Sequence, residues 1–549
     1  MTTQSLMRTL ARAELATQSE NWPLAASLWE ALVDANPVNG AWWNNLATAH
    51  HHLEQYDQEL AALHHVLELG DYYPSHPAYR MARCHARLGN TPAALASLEQ
   101  AINGGLHDLH EAREEEAFES LRDNPTFRQL TGFAEPDLDR DSQWRADVRF
   151  TAREIKRRAF SPFGTLPEPA FDATIETIVD RVPLLSDHQV ILELARVLRA
   201  LNDGHARIRP PDDRADLQRA LPLSLFLFEE GLFVVATTPN HADLLGAQLL
   251  QIGDHDIDHV LDAFDPLIAR DNDNAQWFKA CLPDWLIQTS ALHALGLIAH
   301  PDQVPLTIRA LDGETRAVTL APDPEWPARK IRNEPPFSAG WVSFHESLDS
   351  PVPHYLRNTG LPFWFDYLRD EGIVYVQFNS VGDTATETLD AFGKRLYTFV
   401  DANPVDRLVL DMRWNGGGNT LQEWPFLRQI IANHKTNQRG SLFVIIGRGT
   451  FSAAQNGINF LDTHSNATFV GEPTGSSPAF IGETHPFTLP HSRVEMNVSD
   501  LHWVGTWPGD SRKWIPPTIY TPPTFAAYRE NRDPALDAIL TLHERLPAV

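Results

Sequence analysis

Two loops hold the residues whose types and spacing could do chemistry. In Gly447-Arg448-Gly449-Thr450-Phe451-Ser452-Ala453-Ala454-Gln455 a serine falls between an apolar run and an amphipathic one. A serine on a strand-to-helix turn presents its hydroxyl at a sheet edge, as in a nucleophile elbow, although GxSxG itself is missing. The helix N-terminus behind it would favour developing negative charge. The competing structural reading is a helix N-cap, a role serine often fills. The second loop is Asp411-Met-Arg-Trp-Asn-Gly416-Gly417-Gly418-Asn419. Three consecutive glycines permit unusual dihedrals and close approach of a ligand. Their N–H groups beside a helix start make an anion-holding concavity. The competing reading is a tight turn with Asp411 and Arg413 as structural polar residues. A phosphate loop is disfavoured, since GxxxxGK[ST] and GxGxxG are both absent.

Both loops need a scaffold. Residues 340–549 supply one: strand GIVYVQFNS (372–380), helix TATETLDAFGKRLYTFVDA, strand RLVLDMR (407–413), helix LQEWPFLRQIIANH, strand SLFVIIG (441–447), helix SAAQNGINFLDTH and strand TFVGE (468–472). Strands alternating with helices predict a parallel sheet covered on both faces. In such sheets chemistry gathers at the carboxyl ends of strands, where both loops fall.

Earlier in the chain the period changes. Residues 1–134 contain a repeat, in which NWPLAASLWEAL is echoed by QYDQELAALHHVL and NTPAALASLEQAI. Ala26, Ala61 and Ala96 are 35 apart, as are Leu28, Leu63 and Leu98. This helix-turn-helix period resembles tetratricopeptide repeats, whose stacked units share a core and leave a concave groove. EEAFESLRDNPTFRQL is expected to cap the stack. After the loop EPDLDRDSQ, residues 144–212 are helical in pattern. Residues 217–325 read as short strands, LPLSLFLF, GLFVVATT, AQLLQIGD and VPLTIRAL, with a helical insertion NAQWFKACLPDWLIQTSALHALG. GAQLLQIGDHDIDHVL resembles part of a PDZ module.

Composition excludes several classes. The chain has 549 residues with 45 Lys+Arg against 72 Asp+Glu, a formal charge of −27. That length predicts several domains. The acidity argues against nucleic acid and against an anionic membrane surface. Cys84 and Cys281 lie far apart, so a disulfide framework and a cysteine zinc site are not expected. The triplet His50-His51-His52 and the pair His64-His65 sit on adjacent helical positions that point apart, and no HExxH occurs, so no metal site is expected. No apolar leader or membrane-length run is visible, which makes a cytoplasmic location the default expectation.

Taken together, DMRWNGGGN, GRGTFSAAQ, FVGEPTGSSP, LPHSRVEM and RENRDPALDAIL resemble, in order and spacing, the tail-specific (C-terminal processing) protease superfamily, which includes the tricorn core protease and the interphotoreceptor retinoid-binding proteins. LRALNDGHARI is similar to that family's L-x-D-x-H-[ST] stretch. The resemblance covers about residues 145–549 and implies a PDZ-like module and a crotonase-like ββα-spiral core. With the repeats, the expected fold is multidomain α + α/β. The resemblance implies Ser452 as nucleophile, with the N–H groups of Ala453 and of the Gly416/Gly417 turn as oxyanion hole. The family's processing branch uses a lysine about 25 residues after the serine; here that place holds Ser477, and no lysine lies between Ser452 and Lys513. The tricorn-like branch uses a histidine, matched here by His205, whose reference pKa suits a general base. Asp510 matches that branch's carboxylate, and Glu483 is an alternative acid. The expectation is a serine hydrolase, a peptidase acting through an acyl-enzyme without a cofactor. The repeats and the PDZ-like module would select a protein partner or substrate chain. The rival expectation is a non-catalytic binder of peptides or apolar ligands on the same fold.

Overall fold

The structure is a computed structural model that describes residues 2–71, 73–106, 108–133 and 137–542. It divides into two compact units, residues 1–158 with 486–492, and residues 159–485 with 493–549.

In the first unit the sequence repeat becomes six helices: α1 (Thr3–Gln18), α2 (Trp22–Ala35), α3 (Gly40–His52), α4 (Tyr56–Leu69), α5 (Ser75–Arg87) and α6 (Thr91–Asn103). Asn21, Asn39 and Asn90 start α2, α3 and α6, each side-chain oxygen accepting an N–H of the first turn. Such a cap satisfies a donor the helix itself leaves unpaired. Ala25, Ala47, Ala62 and Ala94 are buried where helices approach closely, and Trp29 and Leu63 fill the space beside them. The adjacent histidines take different partners, although the His51 and His52 rings meet edge to face at 5.6 Å. His50 binds Gln55, His51 binds Glu59, His52 stacks on Trp22 and His65 on Trp43. The segment expected to cap the stack is a 3₁₀ turn, Glu116–Leu121, and a short α-helix, Pro125–Thr131, preceded by a further short helix, Leu109–Glu114. Helix α7 (Arg140–Arg158) packs with this unit, whereas the sequence pattern grouped it with the region that follows. Its Arg157 donates to the carbonyls of Ile102 and Leu106, and its Arg153 to that of Gln129.

The second unit begins with α8 (Glu168–Arg181) and α9 (Asp187–Ala200), which lead into β1 (Arg207–Arg209). An antiparallel sheet follows, with β2 (Leu223–Phe228), β3 (Gly231–Thr237), β4 (Gln248–Ile252), β5 (Val304–Arg309) and β6 (Thr315–Leu320) adjacent in that order. Helices α10 (Ile257–Phe264) and α11 (Ala275–Leu286) lie in the insertion between β4 and β5.

The main sheet contains β7 (Phe363–Leu368), β8 (Ile373–Phe378), β9 (Arg407–Asp411), β10 (Leu442–Ile446) and β11 (Thr468–Gly471). Strands β12 (Ala479–Thr488) and β13 (Glu495–Val504) leave it, β13 pairing with β1, and β14 (Ile519–Tyr520) returns to its far edge. From β8 to β11 and on to β14 every pair is parallel, while β7 is an antiparallel edge. Alternation sends Val374, Val376, Leu408, Leu410, Val444 and Ile446 into one buried layer under α12 (Leu389–Ala402), α13 (Thr420–Ala432) and α14 (Ala453–His464). Ile373, Tyr375, Val409, Phe443 and Val470 enter the opposite layer, covered by α15 (Pro534–Leu540). Burial on both faces is why these strands read as unbroken apolar runs.

Candidate active site

Chain direction in a parallel sheet puts the loops after β9 and β10 at the same edge. The first runs from Arg413 to Asn419. Its opening residues are structural, as the simpler reading held. The Arg413 guanidinium bridges Asp411 at the strand end and Asp533 at the N-cap of α15, with N–O distances of 2.8 Å to each. Asn415 shapes the rest. Its Nδ2 donates to the Phe378 carbonyl at 3.0 Å, and its Oδ1 accepts the Gly417 N–H at 3.0 Å. The chain then passes so close to Val381 that a Cβ on Gly418 would sit 1.9 Å from the Val381 carbonyl oxygen. Only glycine fits there, and its φ of 141° is open to it without strain.

The second loop, residues 447–452, is laced to the first. The Phe451 N–H donates to the Asn415 carbonyl at 3.0 Å, and Thr450 Oγ1 to the Met412 carbonyl at 2.9 Å. Ser452 sits at φ 55°, ψ −126°, immediately before α14, and its hydroxyl makes no capping bond to the helix. A non-glycine residue there costs about 1–3 kcal/mol and is kept only where the surroundings impose it. Ser452 therefore occupies the N-cap place without performing the N-cap role. Its own N–H donates to Ser476 Oγ at 3.1 Å, and Ser476 is fully buried. Gly417 faces it so closely that a Cβ there would lie 2.7 Å from Ser452 Cβ and 2.8 Å from the Ala453 nitrogen.

His205 reaches the same place from the loop after α9. Its ring centroid lies 4.4 Å from that of Phe451 and 5.6 Å from that of Phe480. Trp277, in the first turn of α11, stacks flat on Phe451 at 3.6 Å and donates its Nε1–H to the Gly204 carbonyl. The fold thus brings His205 beside the residue that precedes Ser452. Neither ring nitrogen makes a hydrogen bond of good geometry among the described residues. Burial, with the Arg207 charge acting the same way and the Ile481 main chain opposing, pushes His205 down to about 3. The resting imidazole is neutral.

The loop that carries His205 is held from behind. Asp203 accepts the N–H groups of His205 and Ser499 and the Ser499 hydroxyl. Asp271 accepts the Gly204 N–H at 2.8 Å, while burial, and secondarily the Asp203 charge, push it up to about 8.

The remaining expected site residues fall into two groups. Ala453 is the first residue of α14, so its N–H points from the helix N-terminus beside Ser452. Gly416 is exposed, with no atom within 4 Å of where a Cβ would be. The Gly417 N–H is already given to Asn415, so its contribution at Ser452 is closeness rather than a free donor. The Asp510 carboxylate is taken up by Arg512 and makes no hydrogen bond to the His205 ring among the described residues. Arg512 also grips Asp462 near the C-terminal end of α14, ten residues along the helix from Ser452, roughly 15 Å at 1.5 Å per residue. The Arg512 hydrogen bonds hold Asp510 below the usual carboxylate range. Glu483 shares a strand with Phe480, but its side chain is exposed.

Sequence reasoning gave no role to Asp203, Asn415 and Ser476, although all three lie inside the motifs it quoted, and it passed over Asp271 altogether. The run Asp271-Asn272-Asp273-Asn274 was the visible signal, four turn-forming and cap-forming residues in a row.

No protein-family model matches the chain, and no curated protein matches it in sequence. Solved structures do. Mature CPAF complexed with lactacystin aligns at a TM-score of 0.50 and 12% identity, over 73% of this chain and 97% of that one. At that identity the likeness is one of fold. The photosystem II D1 C-terminal processing protease aligns at a TM-score of 0.36 and 12% identity, over 73% of this chain and 97% of its own. No helix among the described residues is long and apolar enough to cross a membrane.

Proposed function

We propose that the protein is a serine-type peptidase in which Ser452 is the nucleophile and His205 the general base. The observation that carries this is the strained Ser452 at the strand-to-helix turn, its hydroxyl unspent on capping and its neighbour Phe451 in contact with the His205 ring. In the reaction Ser452 Oγ attacks the scissile carbonyl carbon as its proton passes to a His205 ring nitrogen. Negative charge moves to the carbonyl oxygen, where the Ala453 N–H and the positive end of α14 lower its energy. The tetrahedral intermediate collapses to an acyl-enzyme, and His205 returns the proton to the departing amine. A water, deprotonated by His205, then releases the acid and restores Ser452. The Gly416–Gly417 turn sets the shape of the pocket against Ser452. Asp510, held elsewhere by Arg512, has no part in this scheme. The helical repeats of residues 1–134 and the sheet module of 217–325 are proposed to select the partner or substrate chain.

A second reading, a non-catalytic ligand binder on the same fold, is favoured by one observation: no carboxylate hydrogen-bonds the His205 ring among the described residues, and burial holds that ring at about 3, a weak base. Turnover of an unstructured peptide by wild type, Ser452→Ala and His205→Ala separates the two. The peptidase reading expects loss in Ser452→Ala and a fall of roughly 10²-fold or more in His205→Ala. Absence of turnover in wild type, with peptide still bound, supports the binder.

A further inference from the structure

His205 and Ser452 stand on different parts of the chain, and among the described residues no hydrogen bond runs directly from loop 202–205 to loop 447–452. A third segment touches both. Asn272, at φ 45°, gives its N–H to Asn202 Oδ1 at 2.8 Å, and Asn202 returns an amide hydrogen to Asn272 Oδ1 at 3.2 Å. The Asn272 Nδ2 donates in the other direction, to Ser477 Oγ at 3.2 Å. Asn274 is fully buried, and its Nδ2 lies within hydrogen-bond distance of three carbonyls: Thr474 at 3.1 Å, Gly475 at 2.8 Å and Lys513 at 2.9 Å. Those partners lead to the serine, since Gly475 donates to the Thr450 carbonyl and Ser476 accepts the Ser452 N–H. On the histidine side, Asp271 and Trp277 bind the N–H and the carbonyl of Gly204, one residue before His205.

We propose that segment 271–277 is a strap that fixes the separation of His205 from Ser452, with Asn272 and Asn274 as its positioning residues; this rests on the reading of Ser452 and His205 as nucleophile and base. The strap belongs to the insertion between β4 and β5, so the sheet module sets the geometry of a reaction to which it contributes no reacting group. A hydrogen-bonded amide suits the task. It is short and donates and accepts at once, and at the buried Asn274 its hydrogen bonds act in a low dielectric, where they are electrostatically stronger than in water. Reacting groups must be held within a fraction of an ångström, and a misplacement near 1 Å can cost about 10²-fold in rate.

Asn272→Gly is the cleanest test. Glycine keeps the left-handed backbone while removing the amide that joins Asn202 to Ser477. With a short fluorogenic peptide, kcat is expected to fall roughly 10-fold or more with KM and melting temperature little changed. Asn274→Ala, if folded by circular dichroism, should lose at least as much. In the His205→Ala background Asn272→Gly should add little, because the alignment it enforces no longer matters. Wild-type kcat in Asn272→Gly, or a loss that adds in full without His205, overturns the strap. The parent reading is checked in the same experiment. Turnover that survives in Ser452→Ala overturns that reading and the strap with it, whereas turnover lost there and normal in Asn272→Gly overturns the strap alone.

Discussion

Replacing Gly417 by alanine adds one methyl group at the most crowded point beside Ser452. That carbon would lie 2.7 Å from Ser452 Cβ, 2.8 Å from the Ala453 nitrogen and 3.0 Å from the Phe451 carbonyl oxygen. Carbon atoms pack best near 3.5–4.0 Å, so the two loops must part by about 1 Å. The backbone adds to the difficulty, because Gly417 sits at φ 105°. A side chain in the left-handed region costs on the order of 1–2 kcal/mol. Displacing Ser452, the proposed nucleophile, and the Ala453 N–H together by that distance predicts a fall in kcat of about 10²-fold, or roughly 2.7 kcal/mol of barrier. Gly416→Ala is the internal control. Nothing lies within 4 Å of its added carbon, so stability and kcat should stay within about 0.5 kcal/mol of wild type. Initial rates on a fluorogenic peptide, with circular dichroism to confirm folding, give both numbers. Wild-type kcat in Gly417→Ala, or equal losses in the two variants, would refute the steric argument.

The pH dependence follows from His205, neutral down to about 3, and His188, likewise pushed down by burial to about 4. Their unfolded values lie near 6.5, so the unfolded chain takes up protons first as pH falls; the contribution of each histidine should be level above about 6.5 and decline below it, by up to about 1.4 kcal/mol per pH unit, while Asp271, raised by burial to about 8, acts in the opposite sense, so the histidine part is read as the difference between wild type and a His188→Phe variant. Urea titrations at pH 7 and 5 check this, and in the free enzyme the acid limb of kcat/KM should lie well below 6.5 rather than at it. Asp533→Ala would leave the Arg413 guanidinium with Asp411 alone in a buried site and should destabilise the fold by roughly 3–5 kcal/mol in chemical denaturation; a loss below 1 kcal/mol would contradict the clamp. Ser452→Gly should abolish turnover yet raise thermal stability by about 1 kcal/mol, because glycine accepts φ 55° without strain; a destabilised variant would count against strain at Ser452.

Much of the scaffold was legible because its physics is local. The apolar runs 372–380, 407–413, 441–447 and 468–472 are strands buried on both faces, and burial on both faces leaves an unbroken apolar signature that survives without tertiary knowledge. The spacing of 35 in the first unit likewise became paired helices, with Leu63 and Leu98 buried between them, although Ala61 and Ala96 of the same spacing face solvent. Ser452 was legible from its place between a strand and a helix. Its freedom from capping was not, because that depends on a backbone angle imposed by Asn415 and Ser476 from other loops. His205 was legible only through the short stretch around it, and its neighbours Phe451, Phe480 and Trp277 come from distant positions. Asp510 shows the limit of matching by order alone: its carboxylate is set by Arg512 and Asp462, a local ion cluster that no spacing rule reveals. The Gly417 N–H is a similar case, since the acceptor that consumes it is a side chain two residues away whose rotamer is fixed by Phe378.

The most direct test of the central claim is covalent. A fluorophosphonate probe added to the folded full-length protein, followed by tryptic mapping, reports which hydroxyl is nucleophilic. The account predicts a single adduct on Ser452, slowed in His205→Ala and absent from Ser452→Ala. An adduct that persists in folded Ser452→Ala, or a folded wild-type protein that turns over peptide while Ser452 stays unmodified, would contradict it.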